Sequence, residues 1–187
     1  MDFVYGLDDL MGTEELDNFS NTNNLPDKTL EWWDLAKQQL EAAAATLLGS
    51  FNKYAIIQNC CISTELLLKG ALLAKGVDEE LLSKEKKGYG HNLENLVHEI
   101  AELLPNMDKD SLLFAVQQLP NYVKSRYEAA QVSRQDLGNF LMNTQFISGE
   151  TLRQFSNRNF RSDFSEKSDG LWNFDYRIFP KKMHLIK

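Results

Sequence analysis

Glu65 and Lys69 stand four residues apart in the most apolar stretch of a 187-residue chain, a spacing that puts both on one face of a helix. Paired with each other, they make an intrahelical ion pair whose lysine stem covers apolar surface, worth about a few tenths of a kcal/mol. Turned outward from so apolar a helix, the same charges would face a ligand cleft or an interface. His91 follows Gly88-Tyr89-Gly90 and precedes Asn92-Leu93, a flexible turn feeding a helix start. There it either hydrogen-bonds to the preceding loop or meets a phosphate or a base, helped by the open amides of the helix N-terminus. His98 lies seven residues further on, and no third ligand accompanies the two. Cys60 and Cys61 are adjacent, and neighbours in a regular helix cannot reach disulfide geometry. They read as small buried hydrophobes in a reducing compartment. The chain has no zinc-ligand spacing, Walker loop, dinucleotide fingerprint or G-x-S-x-G. Neither a metal nor a cofactor is expected.

The elements that must position these residues read as helices. Asp27 is the expected cap of the first, in which Leu30, Trp33, Leu40, Ala44, Leu47 and Leu48 recur at spacings of mostly three and four. Gly49, Ser50 and Asn52 predict a break. Tyr54 to Lys75 is then apolar around most of its circumference, the mark of a helix in the middle of a bundle, and Gly76 is suited to a left-handed end. A third helix is expected from Asn92 to Leu104 with Pro105 as its stop, and a fourth from Asp108 or Asp110, kinked or split by Pro120. A fifth should run from Ser133 to about Gln154. Residues 171–179 are rich in β-formers and predict extended structure.

Charge is distributed unevenly. Residues 1–27 hold seven acids and no Lys or Arg, which equals the whole net charge of −7. From Thr151 onward there are eight bases against four acids. Both ends read as solvated surface, or else the basic end meets phosphate or the two ends attract one another. The first ten residues carry three Asp and no base, unlike a secretory or transit peptide. Uninterrupted apolar runs are only a handful of residues, which argues against a membrane span and for a soluble, cytoplasmic protein.

Two segments carry a resemblance: Glu65-Leu-Leu-Leu-Lys69-Gly70, and Gly90-His91-Asn92-Leu93-Glu94-Asn95-Leu96 downstream. Their order and spacing resemble the HEPN superfamily (higher eukaryotes and prokaryotes nucleotide-binding domain). There an E-x-x-x-K-like helix is followed by one opening with H-[ND]-L-x-x-L. Arg126-Tyr127 is similar to a pair that many members show on the following helix. The resemblance covers roughly residues 30–130 and implies a four- or five-helix up-and-down bundle, often a homodimer. Members include metal-independent ribonucleases of toxin–antitoxin and defence systems, partners of nucleotidyltransferases, and inactive modules. The active ones carry R-x(4–6)-H near the start of a late helix. The one formal match here is Arg177 with His184, with Pro180 between them in a segment that reads as extended rather than helical.

The sequence thus predicts an all-α protein: an irregular acidic leader (1–27) with a short helix around residues 13–18, a HEPN-like bundle (28–160) and a basic, partly extended tail (161–187). The leading function is a non-catalytic binding or assembly module. Its partners would be a second copy and a companion protein such as a nucleotidyltransferase, with nucleotide or RNA as ligand. Glu65, Lys69, His91, Arg126 and Tyr127 are the candidate ligand-binding residues. Arg177 and His184 are the candidate catalytic pair of the alternative, a metal-independent ribonuclease. A bundle serving protein association alone is the third reading, since fold does not fix function.

Overall fold

The computed structural model describes residues 25–83, 90–120 and 132–155, which contain helices and no strand. Helix α1 (Asp27–Leu48) begins directly after Pro26, which stands at the N-cap with φ −58°. Asp27 therefore lies in the first turn, where its carboxylate faces the positive end of the helix dipole, instead of capping it. The break at residues 49–52 is present. The Phe51 N–H reaches back to the Thr46 carbonyl at 2.8 Å, and Phe51 itself takes a left-handed φ of 54°. The Asn52 side chain then accepts from the Ala55 N–H and opens α2 (Lys53–Ala74). Gly76 ends that helix at φ 87°, a conformation costly for any residue with a Cβ.

Shortly after Gly76 lies a short helix that the sequence pattern did not suggest, α3 (Glu79–Ser83), with the Asp78 carboxylate accepting from the Glu80 N–H. The next three helices have the expected starts. Asn92 caps α4 (Leu93–Leu103), Asp108 caps α5 (Lys109–Gln117), and Ser133 with Asp136 forms a reciprocal capping box on α6 (Arg134–Leu152).

Helix α2 is central, packing against α1, α4 and α6, while α5 packs on α4 and α6. Side chains that cross the α1–α2 contact donate to main-chain carbonyls of the facing helix. The pairs are Thr29 to Gly70 (3.3 Å), Trp33 to Leu67 (3.1 Å) and Ser63 to Ala36 (2.7 Å). As residue numbers rise along α1 they fall along α2, so the two helices are antiparallel. Close approach at Gly70 makes this possible, because a Cβ there would lie 2.6 Å from the Trp33 indole nitrogen. At the other end, the Arg134 guanidinium sits over the Phe51 ring at 4.9 Å and ties the start of α6 to the α1–α2 turn.

The buried face of α1 is Thr29, Trp33, Ala36, Leu40 and Ala43. The expected Leu48 is instead 83% exposed. By length and composition alone α2 would suit a bilayer, which its short apolar runs did not suggest; here it is covered mainly by its neighbours. The leader helix around 13–18 and the extended segment at 171–179 lie outside the described residues. So does any continuation of α5 beyond Pro120.

Candidate functional site

The inward face of α2 carries a carboxylate and an ammonium that have both left water. Glu65 is 8% and Lys69 7% exposed, and the Lys69 Nζ donates to the Glu65 Oε1 at 2.7 Å. Burial changes what this pair is worth. Each charge has lost hydration that only its partners replace, so the surface estimate of a few tenths of a kcal/mol does not apply.

The second partner comes from 26 residues downstream. The turn at Gly90, with φ 53°, and the Asn92 cap hold His91 at the mouth of α4. Its Nδ1 lies 3.0 and 2.9 Å from the two Glu65 oxygens. One carboxylate thus joins a buried ammonium to an imidazole whose side chain is 41% accessible. A carboxylate on Nδ1 favours the tautomer that donates from that nitrogen, which assigns acid–base and acceptor chemistry to Nε2. The arrangement can orient an imidazole toward an incoming hydrogen-bond donor while keeping the carboxylate behind it inside the protein.

Glu65, Lys69 and His91 are therefore brought together. Arg126, Tyr127, Arg177 and His184 lie outside the described residues. His98 is exposed on α4, and among the described residues no three His, Cys, Asp or Glu side chains gather as a metal cage.

Both cysteines are free and wholly buried on α2. Burial pushes the Cys60 thiol up to about 12, partly offset by a hydrogen bond with Thr144. The Cys61 thiol is pushed higher still, by burial first and then by the Cys60 and Glu65 charges beside it. Opposite them α6 presents Thr144, Ser148 and Thr151, all buried, at spacings of four and three. Thr144 and Ser148 donate to carbonyls one turn back, at 2.9 and 2.7 Å. The Thr151 hydroxyl is the one buried side-chain polar atom among the described residues without a partner. Sequence reasoning missed this hydroxyl stripe, although it has the same helical period as the apolar residues of α6.

Comparison with protein-family models, with curated proteins and with solved structures returns no match.

Proposed function

We propose that the chain is a non-catalytic, HEPN-like binding and assembly module of the cytoplasm that takes nucleotide or RNA beside His91. It would act as a homodimer alongside a companion protein such as a nucleotidyltransferase. One observation carries the reading: the two segments behind the family resemblance touch through Glu65 and His91 at 2.9 Å. Segments joined only by a chance motif match have no reason to share a buried carboxylate. The helix mouth beside the accessible imidazole offers an anionic group its open amides.

The test is a titration of a labelled single-stranded RNA, and separately of ATP, into the full chain and into His91→Ala. Binding should weaken as salt rises, since phosphate contacts release counterions, and His91→Ala should bind at least about tenfold more weakly. No binding at low salt, or binding indifferent to salt, would leave a protein-association bundle instead. Metal-free cleavage of that RNA, lost in His184→Ala, would replace the module with a ribonuclease.

A further inference from the structure

The end of the bundle where α1 turns into α2 gathers large apolar side chains that the core does not use. Leu48 is 83% exposed, and Phe51 and Tyr54 are each 38% exposed. Phe51 stands there in a left-handed backbone, φ 54°, which strains any residue with a Cβ and which glycine adopts freely. Each ring has a cation over it. The Arg134 guanidinium lies 4.9 Å from the Phe51 centroid, and the Lys53 Nζ 5.7 Å from that of Tyr54. Helix α6 runs parallel to α2, because Arg134 meets Phe51 at one level, Thr144 bonds Cys60 at the next and Phe155 meets Lys75 at the last. Thus α2 and α6 both begin at this end and α1 ends there, so the helix dipoles leave a positive balance. The first turn of α2 has no acid, and the Asp136 carboxylate at the start of α6 is taken up by Ser133. Residues 42–64, which span the turn, contain no Asp or Glu, the longest such stretch in a chain with 27 of them. Within a chain of net charge −7, this tip is locally positive.

Whatever covers the tip must supply apolar volume and negative charge together. A second copy set tip to tip would bring cation against cation. Single-stranded RNA would supply the charge, but each ring already carries a cation on one face and Leu48 offers a base nothing to stack on. A specific protein interface buries about 800 Å² per partner. The three side chains together expose only roughly 300 Å², at about 200 Å² for a whole side chain of this size. A bilayer surface sets no such minimum. Each apolar side chain partitions by itself, aromatic rings settle among the headgroups, and basic groups meet anionic lipid. We propose that the α1–α2 tip is a peripheral docking surface for an anionic membrane. Leu48, Phe51 and Tyr54 enter the interface, and Lys53 and Arg134 meet the headgroups. The contact does not depend on RNA binding beside His91.

Co-sedimentation of the full chain with phosphatidylcholine vesicles, plain or containing about 30% phosphatidylserine, is the test. The chain should partition at least about tenfold more strongly onto the anionic vesicles at roughly 100 mM salt, and less as salt rises. Leu48→Ser alters a side chain that is 83% exposed, so it should melt like the parent yet bind at least about tenfold more weakly. Lys53→Gln with Arg134→Gln should remove the preference for anionic lipid. A parent that binds both vesicles equally, or neither, would overturn the proposal. Binding that survives Leu48→Ser would place the contact elsewhere in the chain and overturn it too. A parent that ignores vesicles, while Leu48→Ser loses RNA binding or a dimer, would give the tip to RNA or to a second copy instead.

Discussion

A carboxylate that has given up nearly all its water depends on its partners, and among those of Glu65 are two of different kinds. Lys69 is buried with it, whereas His91 stays accessible and retains much of its hydration. Removing Lys69 leaves a buried anion without its buried counter-charge. Lys69→Met should therefore destabilise the fold by about 3 kcal/mol, and Glu65→Leu, which strands the ammonium, by a similar amount. The double variant Glu65→Leu/Lys69→Met replaces both charges with apolar volume and should lose much less than the sum of the two. Urea unfolding of the four proteins reads this as a coupling of about 2 kcal/mol or more. Strictly additive losses would mean that the two charges are stabilised independently. His91→Ala should cost below about 1 kcal/mol, since a half-exposed partner contributes little to folding. It can then serve as a binding probe in a protein that is still folded.

Helix α1 meets α2 through a contact set by one missing side chain. An alanine at position 70 would put its Cβ 2.6 and 2.8 Å from Trp33 ring atoms, and Trp33 is held by its hydrogen bond to the Leu67 carbonyl. Gly70→Ala should cost roughly 1–3 kcal/mol despite alanine's better helix propensity. Gly138, in α6, has open space where a Cβ would stand, with nothing within 4 Å, and Gly138→Ala should be neutral or stabilise by up to about 1 kcal/mol. Thermal melts of the two variants give opposite signs if the contact is as tight as its geometry; equal melts would mean the helices can part at no cost. The same interface shows what was legible in the sequence. Capping residues carry their signal locally, so Asn92, Ser133 and one of the two candidates Asp108 and Asp110 mark helix starts, whereas Asp27 falls inside its helix and Asn52 reads only as part of a break; the apolar circumference of Tyr54 to Lys75 marks the central helix. The neighbour of each face is not local information. Leu48 fits the α1 period yet is exposed, while Ala36 is buried where Ser63 of α2 donates to its carbonyl. Glu65, Lys69 and His91 were legible as chemistry-bearing residues, but not their meeting: that depends on where the turn at Gly90 sets α4 against α2.

For the whole molecule, the hidden cost lies in two thiols at the centre of the bundle. Folding holds Cys60 at about 12 and Cys61 higher, against an ordinary thiol value of 9.0. Below that ordinary value both states keep their protons, and the buried thiols impose no pH dependence. Above it the unfolded chain releases protons that the folded chain retains, so the unfolded state binds fewer protons and stability must fall as pH rises. The loss grows until the pH passes the folded values. Each fully mismatched thiol contributes a slope of about 1.4 kcal/mol per pH unit. The capping-box carboxylate of Asp136 acts in the opposite window. Hydrogen bonds from Ser133 hold it below the usual carboxylate range, so its support is present at neutral pH and lost only in acid. Stability should therefore be flat through neutrality and decline from about pH 9 upward. Lysines and tyrosines also titrate there, so the decisive quantity is a difference in slope between parent and Cys60→Ala. Urea unfolding at several pH values from about 9.5 to 11 should give a decline shallower in Cys60→Ala by about 1.4 kcal/mol per pH unit. A cavity at position 60 lowers the whole curve without tilting it, so the slope isolates the proton. Equal slopes would show that the thiol ionises in the folded bundle, and that water reaches the seam between α2 and α6.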